Sequence, residues 1–182
     1  DDDPAVVHDV LGHLTDLWLA PFEQVLADVD VDYAYYWEDM SFKSGAMVSP
    51  RLFLEFFTPV YRRINGFFCA HGLDSVLMET DGNVWGLIPL LLDAGVTGLD
   101  PFEVRAGMDV AEVRARYPRL QMLGGIDKGA LAEGPAAIDR EVDRVAAVVR
   151  SGAYVPGVDH YVPPEVPWAH FAYYRERLAA IL

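Results

Sequence analysis

Acidic side chains recur at five places where a β-prone segment gives way to a loop: Trp37-Glu38-Asp39, Glu79-Thr80-Asp81-Gly82-Asn83, Asp100-Pro101-Phe102-Glu103, Gly124-Gly125-Ile126-Asp127-Lys128 and Asp159-His160. A single loop acid carries little information, because Asp and Asn also cap helices. Five such loops on one rim point to a functional face. The pair Glu79 and Asp81 is the most informative. At a spacing of two in a strand both side chains point the same way, opposite to Val76, Met78 and Thr80. If the apolar face meets the helices, the two carboxylates face the interior near its mouth. Such a pair needs a cation, a basic partner or a raised pKa. The structural alternative pairs Glu79 with Lys43 or Lys128 and makes Asp81 a helix cap. His160, beside Asp159 and ahead of the stiff Val162-Pro163-Pro164, offers an acid, a base or a ligand. His8, His13, His71 and His170 read as structural or solvated. Cys69, among Phe67 and Phe68, reads as an inert core thiol. Tyr33, Tyr35 and Tyr36 read as packing, and Trp37 can wall a pocket.

These loops need a scaffold, and the chain supplies alternating strand and helix signals. A first helix spans Pro4–Ala27, with Val7, Leu11, Leu14, Leu17 and Trp18 forming a buried stripe. A strand covers Val31–Trp37. Ser49-Pro50 opens the next helix, Pro59 kinks it and Gly72 ends it. Further strands are expected at Asp74–Glu79, near Val96–Leu99, at Leu120–Leu123 and near Ala153–Pro156. Asp109 and Glu112 cap a short helix stopping near Pro118. Gly134-Pro135 starts a helix through Val149 that Gly152 closes, and Pro167 starts the last. This is the grammar of a parallel sheet with helical crossovers. Five βα units fit an open doubly wound sheet, slightly favoured by pattern alone, or part of an eight-stranded barrel. No glycine-rich nucleotide-binding turn marks the open sheet here, and the strand-end residues favour the barrel.

Composition narrows the function. The 182 residues suffice for one hydrophobic core, and 52% hydrophobic content makes the chain globular, with disorder confined to Asp1–Asp3. One cysteine excludes an internal disulfide and suits a cytoplasmic setting. No apolar run is long enough for a membrane helix. Fourteen basic against 28 acidic residues give a net charge of −14, which argues against nucleic acid and anionic membranes. A small molecule, a metal or a protein partner remains. The chain starts with Asp rather than Met, so a processed product or a piece of a longer chain is expected.

The segments VDYAYYWEDMSFKSG, SPRLFLEFFTPVYRRI, GLDPFE, GGIDKGAL and YVPGVDHYVPPEVPWAHFAYY, in this order and spacing, resemble the uroporphyrinogen decarboxylase superfamily over essentially the whole chain. The resemblance implies a single domain over 1–182 that supplies about the last five βα units of a (β/α)8 TIM-type barrel. The preceding strands, with the family's N-terminal substrate-binding arginines, are absent. The superfamily has two branches. One decarboxylates uroporphyrinogen without a cofactor. The other transfers methyl groups between corrinoid proteins and thiol or similar acceptors, using zinc held by a His-x-Cys pair and a distant Cys. This chain has Glu79-Thr80-Asp81 where His-x-Cys would lie, so the spacing survives while the ligand atoms become oxygen. Oxygen donors suit Mg, Mn or Ca rather than thiolate-bound zinc.

Three functions follow as expectations. The first is a corrinoid-linked methyltransferase-like enzyme acting on a small-molecule acceptor, with the corrinoid carried by a partner protein. Glu79, Asp81 and His160 would bind a divalent metal or polarise the acceptor. His160, Asp127, Glu38 and Asp39 would act on or orient substrate, and Trp37, Lys43, Asn83, Asp100, Phe102 and Asp159 would contact it. The second is uroporphyrinogen decarboxylation, with His160 and nearby acids handling pyrrole protons. The third is a non-catalytic barrel fragment acting in assembly, because open strand edges invite oligomers, including homo-oligomers.

Overall fold

The computed structural model describes residues 3–182; the disorder expected at Asp1 and Asp2 lies outside them. Asp3 is ordered: its carboxylate accepts from the Val6 N–H and caps helix α1 (Pro4–Asp28). Five parallel strands follow, β1 (Ala34–Trp37), β4 (Val76–Glu79), β5 (Gly98–Asp100), β6 (Gln121–Ile126) and β7 (Tyr154–Val158). Between β1 and β4 lie β2 (Ser41–Phe42) and β3 (Gly45–Ala46), a small antiparallel hairpin in what reads as loop.

The sheet order is β1-β4-β5-β6-β7, every pair parallel. Each new unit is added on the same side of its predecessor. A doubly wound sheet reverses direction at its switch point, whereas a barrel does not. The topology is therefore that of five consecutive units of a barrel wall, left open at β1 and β7.

Helices line one face of this wall. The second begins as α2 (Pro50–Leu52), widens into a π-helical turn at Phe53–Phe57, and resumes as α3 (Thr58–Ala70). The expected distortion at Pro59 takes this form, since proline has no N–H to donate and its ring crowds the preceding turn. The Thr58 N–H reaches back to the Phe53 carbonyl. Helices α4 (Ile88–Asp93), α5 (Val110–Arg116), α6 (Lys128–Glu133), α7 (Pro135–Arg150) and α8 (Trp168–Ala179) complete the layer. Phe53, Met78, Ile88, Leu91, Met108, Ile126, Leu131 and Ile138 fill the contact between helices and sheet.

Two expectations need correction. The stripe on α1 is not buried: Leu17 and Trp18 are 59% and 60% exposed, and Val7 and Leu14 are also open. This helix packs on α3 and the π-helical turn, and Thr15 is its only buried residue among those described. Cys69 is exposed on α3, because its ring neighbour Phe68 takes the inward position.

The strand ends are held close by glycine. Gly124 and Gly125 have φ of 88° and 77°, and a side chain on Gly124 would collide with the Pro101 carbonyl. That approach lets the Gly125 N–H donate to Pro101 O at 2.8 Å, joining β6 to the loop after β5.

Candidate functional site

Strand alternation sorts the reactive residues. On β4, Val76, Met78 and Thr80 face the helices and are buried, while Glu79 and Asp81 face the inner side, as the spacing predicts. On β1, Tyr36 points to the helices, where its hydroxyl donates to Asn65 Oδ1 at 2.6 Å. Glu38 shares that face, where burial raises its carboxyl and the neighbouring Tyr61 partly offsets the rise. Tyr35, Trp37 and Asp39 take the inner face. They meet Glu79, Asp81, Asp100 and His160 in an open cleft of about 750 Å³.

The cleft is charged and crowded. Asp39, Glu79 and Asp81 can each place a carboxylate oxygen within 4.8 Å of the other two. Burial pushes the Glu79 and Asp81 carboxyls above the usual carboxylate range. Glu79 is pushed further by Asp81 and Asp100, and Asp81 by Glu103. Asp100 is likewise raised by burial, partly offset by the Tyr35 hydroxyl, which donates to it at 3.0 Å. Asp81 Oδ1 is buried and has no hydrogen-bond partner among the described residues.

His160 closes the site from β7. Its Nε2 lies 3.4 Å from Asp81 Oδ2. Its Nδ1 accepts from the Tyr161 N–H at 2.7 Å, so the neutral ring carries its proton on Nε2, facing Asp81. A ring in that state offers a hydrogen-bond donor, not a lone pair, to the cleft. Of the expected metal set, Glu79 and Asp81 cluster with Asp39 rather than with His160, whose Nε2 stands beside Asp81. The alternative pairing of Glu79 with lysine is not found among the described residues. Lys128 instead bonds Glu103, and no salt bridge to Lys43 occurs among the described residues.

Several expected site residues do structural work. Asp127 caps α6 through the Gly129 N–H and pairs with Arg105 at 3.0 Å, away from the cleft. Glu38 is turned to the helix layer by strand alternation. Lys43 sits exposed in the β2–β3 turn and does not line the cleft. Asn83 is used on both ends, its Nδ2 donating to Ala106 O and its Oδ1 accepting from the Trp85 N–H. Phe102 is buried in the core. Asp159 is 1% exposed and accepts from the Val104 and Lys128 N–H groups at 2.9 and 3.0 Å. Trp37 and Asp100 do line the cleft. His8 and His13 lie exposed on α1, His71 lies exposed in the turn after α3, and His170 Nδ1 meets Leu131 O at 2.9 Å.

Three contributors were not anticipated. Tyr35, read as packing, is half-exposed and holds Asp100. Arg175 on α8 brings a cation to the cleft margin, and Tyr161 walls it at 77% exposure. The alternation of β1, taken from Trp37, would have exposed Tyr35. Nothing in the local sequence marks Arg175, because its place depends on how α8 crosses β7.

The residues fit a hard cation and do not fit thiolate-bound zinc. The donors are oxygens, one of them an orphaned buried oxygen, and Cys69 lies on the outer helix layer beside a different cavity. Among the described residues, no helix is long and apolar enough to cross a membrane.

Comparison with known proteins agrees with this fold. A solved methyltransferase from Methanosarcina mazei matches with a TM-score of 0.50 and 19% identity, over 80% of this chain. The chain spans 42% of that protein's length. The family model for uroporphyrinogen decarboxylase (URO-D) matches residues 2–180. The chain with the carboxylate-lined cleft thus belongs to the uroporphyrinogen decarboxylase (URO-D) family.

Proposed function

We propose that this chain carries the acceptor-binding face of a methyltransferase-like enzyme of the family, with a hard divalent cation held by Asp39, Glu79 and Asp81. The observation that carries the reading is the convergence of those three carboxylates, with one Asp81 oxygen buried and unpartnered, inside a cleft large enough for a small molecule. A bound cation supplies Lewis acidity, lowering the pKa of an oxygen or nitrogen acceptor. The chain's own groups do the rest. Trp37 and Tyr161 exclude water from one side of the acceptor. The His160 Nε2–H orients it by a hydrogen bond. Asp100, whose carboxyl burial raises and which lies outside the cation's ligand set, accepts the proton that the acceptor loses. The methyl donor in this reading is a corrinoid carried by a partner protein, which meets the open side of the cleft. The fold-level likeness to a methyltransferase and the family membership support the reading.

The test is direct. Mn²⁺ titrated calorimetrically into the full chain should bind at one site, and Asp81→Ala should abolish it. Methyl transfer from a methylated corrinoid protein to small oxygen, nitrogen and thiol acceptors is then followed by the corrinoid spectrum. Unchanged Mn²⁺ binding and unchanged transfer in Asp81→Ala would sink the assignment. The second reading is uroporphyrinogen decarboxylation, favoured by His160 and its Asp81 contact at the end of β7. Release of carbon dioxide from uroporphyrinogen separates it from the first.

A further inference from the structure

Beneath the cleft a single ammonium group sits between two acids. Lys128 Nζ is 3.1 Å from Glu103 Oε1 and 3.7 Å from Asp159 Oδ1. Each acid passes the connection on through its other oxygen. Glu103 Oε2 accepts from the Gly82 N–H at 2.9 Å, and Asp159 Oδ2 accepts from the Val104 N–H at 2.9 Å. The loops after β4, β5, β6 and β7 are thereby tied through one side chain. The two ends of this chain of bonds are next to the reactive pair. Gly82 follows Asp81, and His160 follows Asp159, so the Asp81–His160 contact at 3.4 Å closes a ring.

We propose that Lys128 is the positioning residue of the cleft, holding Asp81 and His160 against each other by clasping the four loops from below. This rests on the reading that Asp81 and His160 belong to the reactive site. Lys128 does not line the cleft and touches neither residue's side chain, so it acts through Glu103 and Asp159. Each end of the clasp is one peptide unit from the group it holds. Rotation of either loop would therefore move Asp81 or His160 directly. No other lysine or arginine side chain bonds Glu103 or Asp159 among the described residues.

Positioning and simple charge predict opposite signs. If Lys128 acted only as a nearby positive charge, Lys128→Met would tighten cation binding. If it positions Asp81, Lys128→Met should weaken Mn²⁺ binding by about tenfold, the usual cost of losing an outer partner of a metal ligand, and Lys128→Arg should restore most of it. A second readout needs no metal. Long-range ¹H–¹⁵N spectra of the histidine rings, with His160 assigned from His160→Gln, should show the His160 signals of Lys128→Met moving toward those of a free imidazole. The other four rings should stay fixed. Glu103→Gln keeps the shape and removes one charged contact, and should move both readouts in the same direction by less. It serves as the probe if Lys128→Met does not fold. Unchanged His160 signals in Lys128→Met, or in Glu103→Gln where that is the folded variant, overturn the proposal, as does tighter Mn²⁺ binding. A wild-type chain that binds no Mn²⁺, with His160 still shifted by the variants, removes the cation reading and keeps the clasp.

Discussion

Replacing Glu79 by Gln removes one negative charge from a cleft in which Asp81, Asp100 and Asp39 all oppose it, while keeping the side-chain shape. Two unit charges at the 4.8 Å limit of the carboxylate cluster repel by about 3.5 kcal/mol at an effective dielectric of ~20 and by about 0.9 kcal/mol in bulk water. Asp39 is exposed and the cleft is open, so screening moves the net value toward the lower figure. No hydrogen bond to the Glu79 side chain is lost among the described residues. The expected result is a metal-free chain stabilised by about 1 kcal/mol, or roughly 2–4 °C in Tm for a chain of this size. The gain should shrink with added salt. It should also shrink as pH falls. The folded state holds the Glu79 proton more tightly than the unfolded chain does, so the wild-type protein recovers this stability once pH drops through the raised folded value toward ~4. Urea denaturation at low and high salt, with and without Mn²⁺, measures all of this. A Glu79→Gln chain less stable than wild type at low salt and neutral pH, without metal, would refute the repulsion argument.

Other outcomes follow from the same geometry. Mn²⁺ affinity should rise with pH through the weakly acidic range and binding should release protons, because the raised carboxyls of Glu79 and Asp81 must lose theirs; calorimetry in buffers of different ionisation enthalpy counts them. Asp159→Ala should cost about 2–4 kcal/mol, read from urea denaturation, since it leaves the Val104 and Lys128 backbone N–H groups without their acceptor while Lys128 keeps Glu103. Tyr35→Phe should raise the pH at which Asp100 titrates, followed by carboxyl ¹³C shifts, because the Tyr35 hydroxyl holds that carboxyl down.

Much of the scaffold was legible because its signals are local. Strand alternation placed Glu79 and Asp81 on the inner face, and Asp109, Ser49 and Gly72 mark the helix ends they were assigned. What failed depended on distant neighbours. An Asp beside a glycine-rich strand end reads as reactive whether it faces the cleft or caps a helix, and Asp127 does the latter because Arg105 and the Gly129 N–H claim it. Asp159 and His160 are adjacent in sequence, yet one is buried under the sheet edge and the other open to the cleft. The stripe on α1 obeys helical periodicity, but periodicity shows only that a face is apolar, not that a neighbour covers it. The hairpin of β2 and β3 was hidden because two-residue strands leave no pattern to detect.

Barrel enzymes are usually regarded as modular, with each loop free to vary while the wall stays fixed. The ring through Gly82, Glu103, Lys128 and Asp159 removes that freedom here. Grafting a foreign loop after any one of four strands would break a link that the other three require. Redesign of this rim has to exchange all four loops together or leave the ring intact and work from the β1 side, where Trp37 and Asp39 stand outside it.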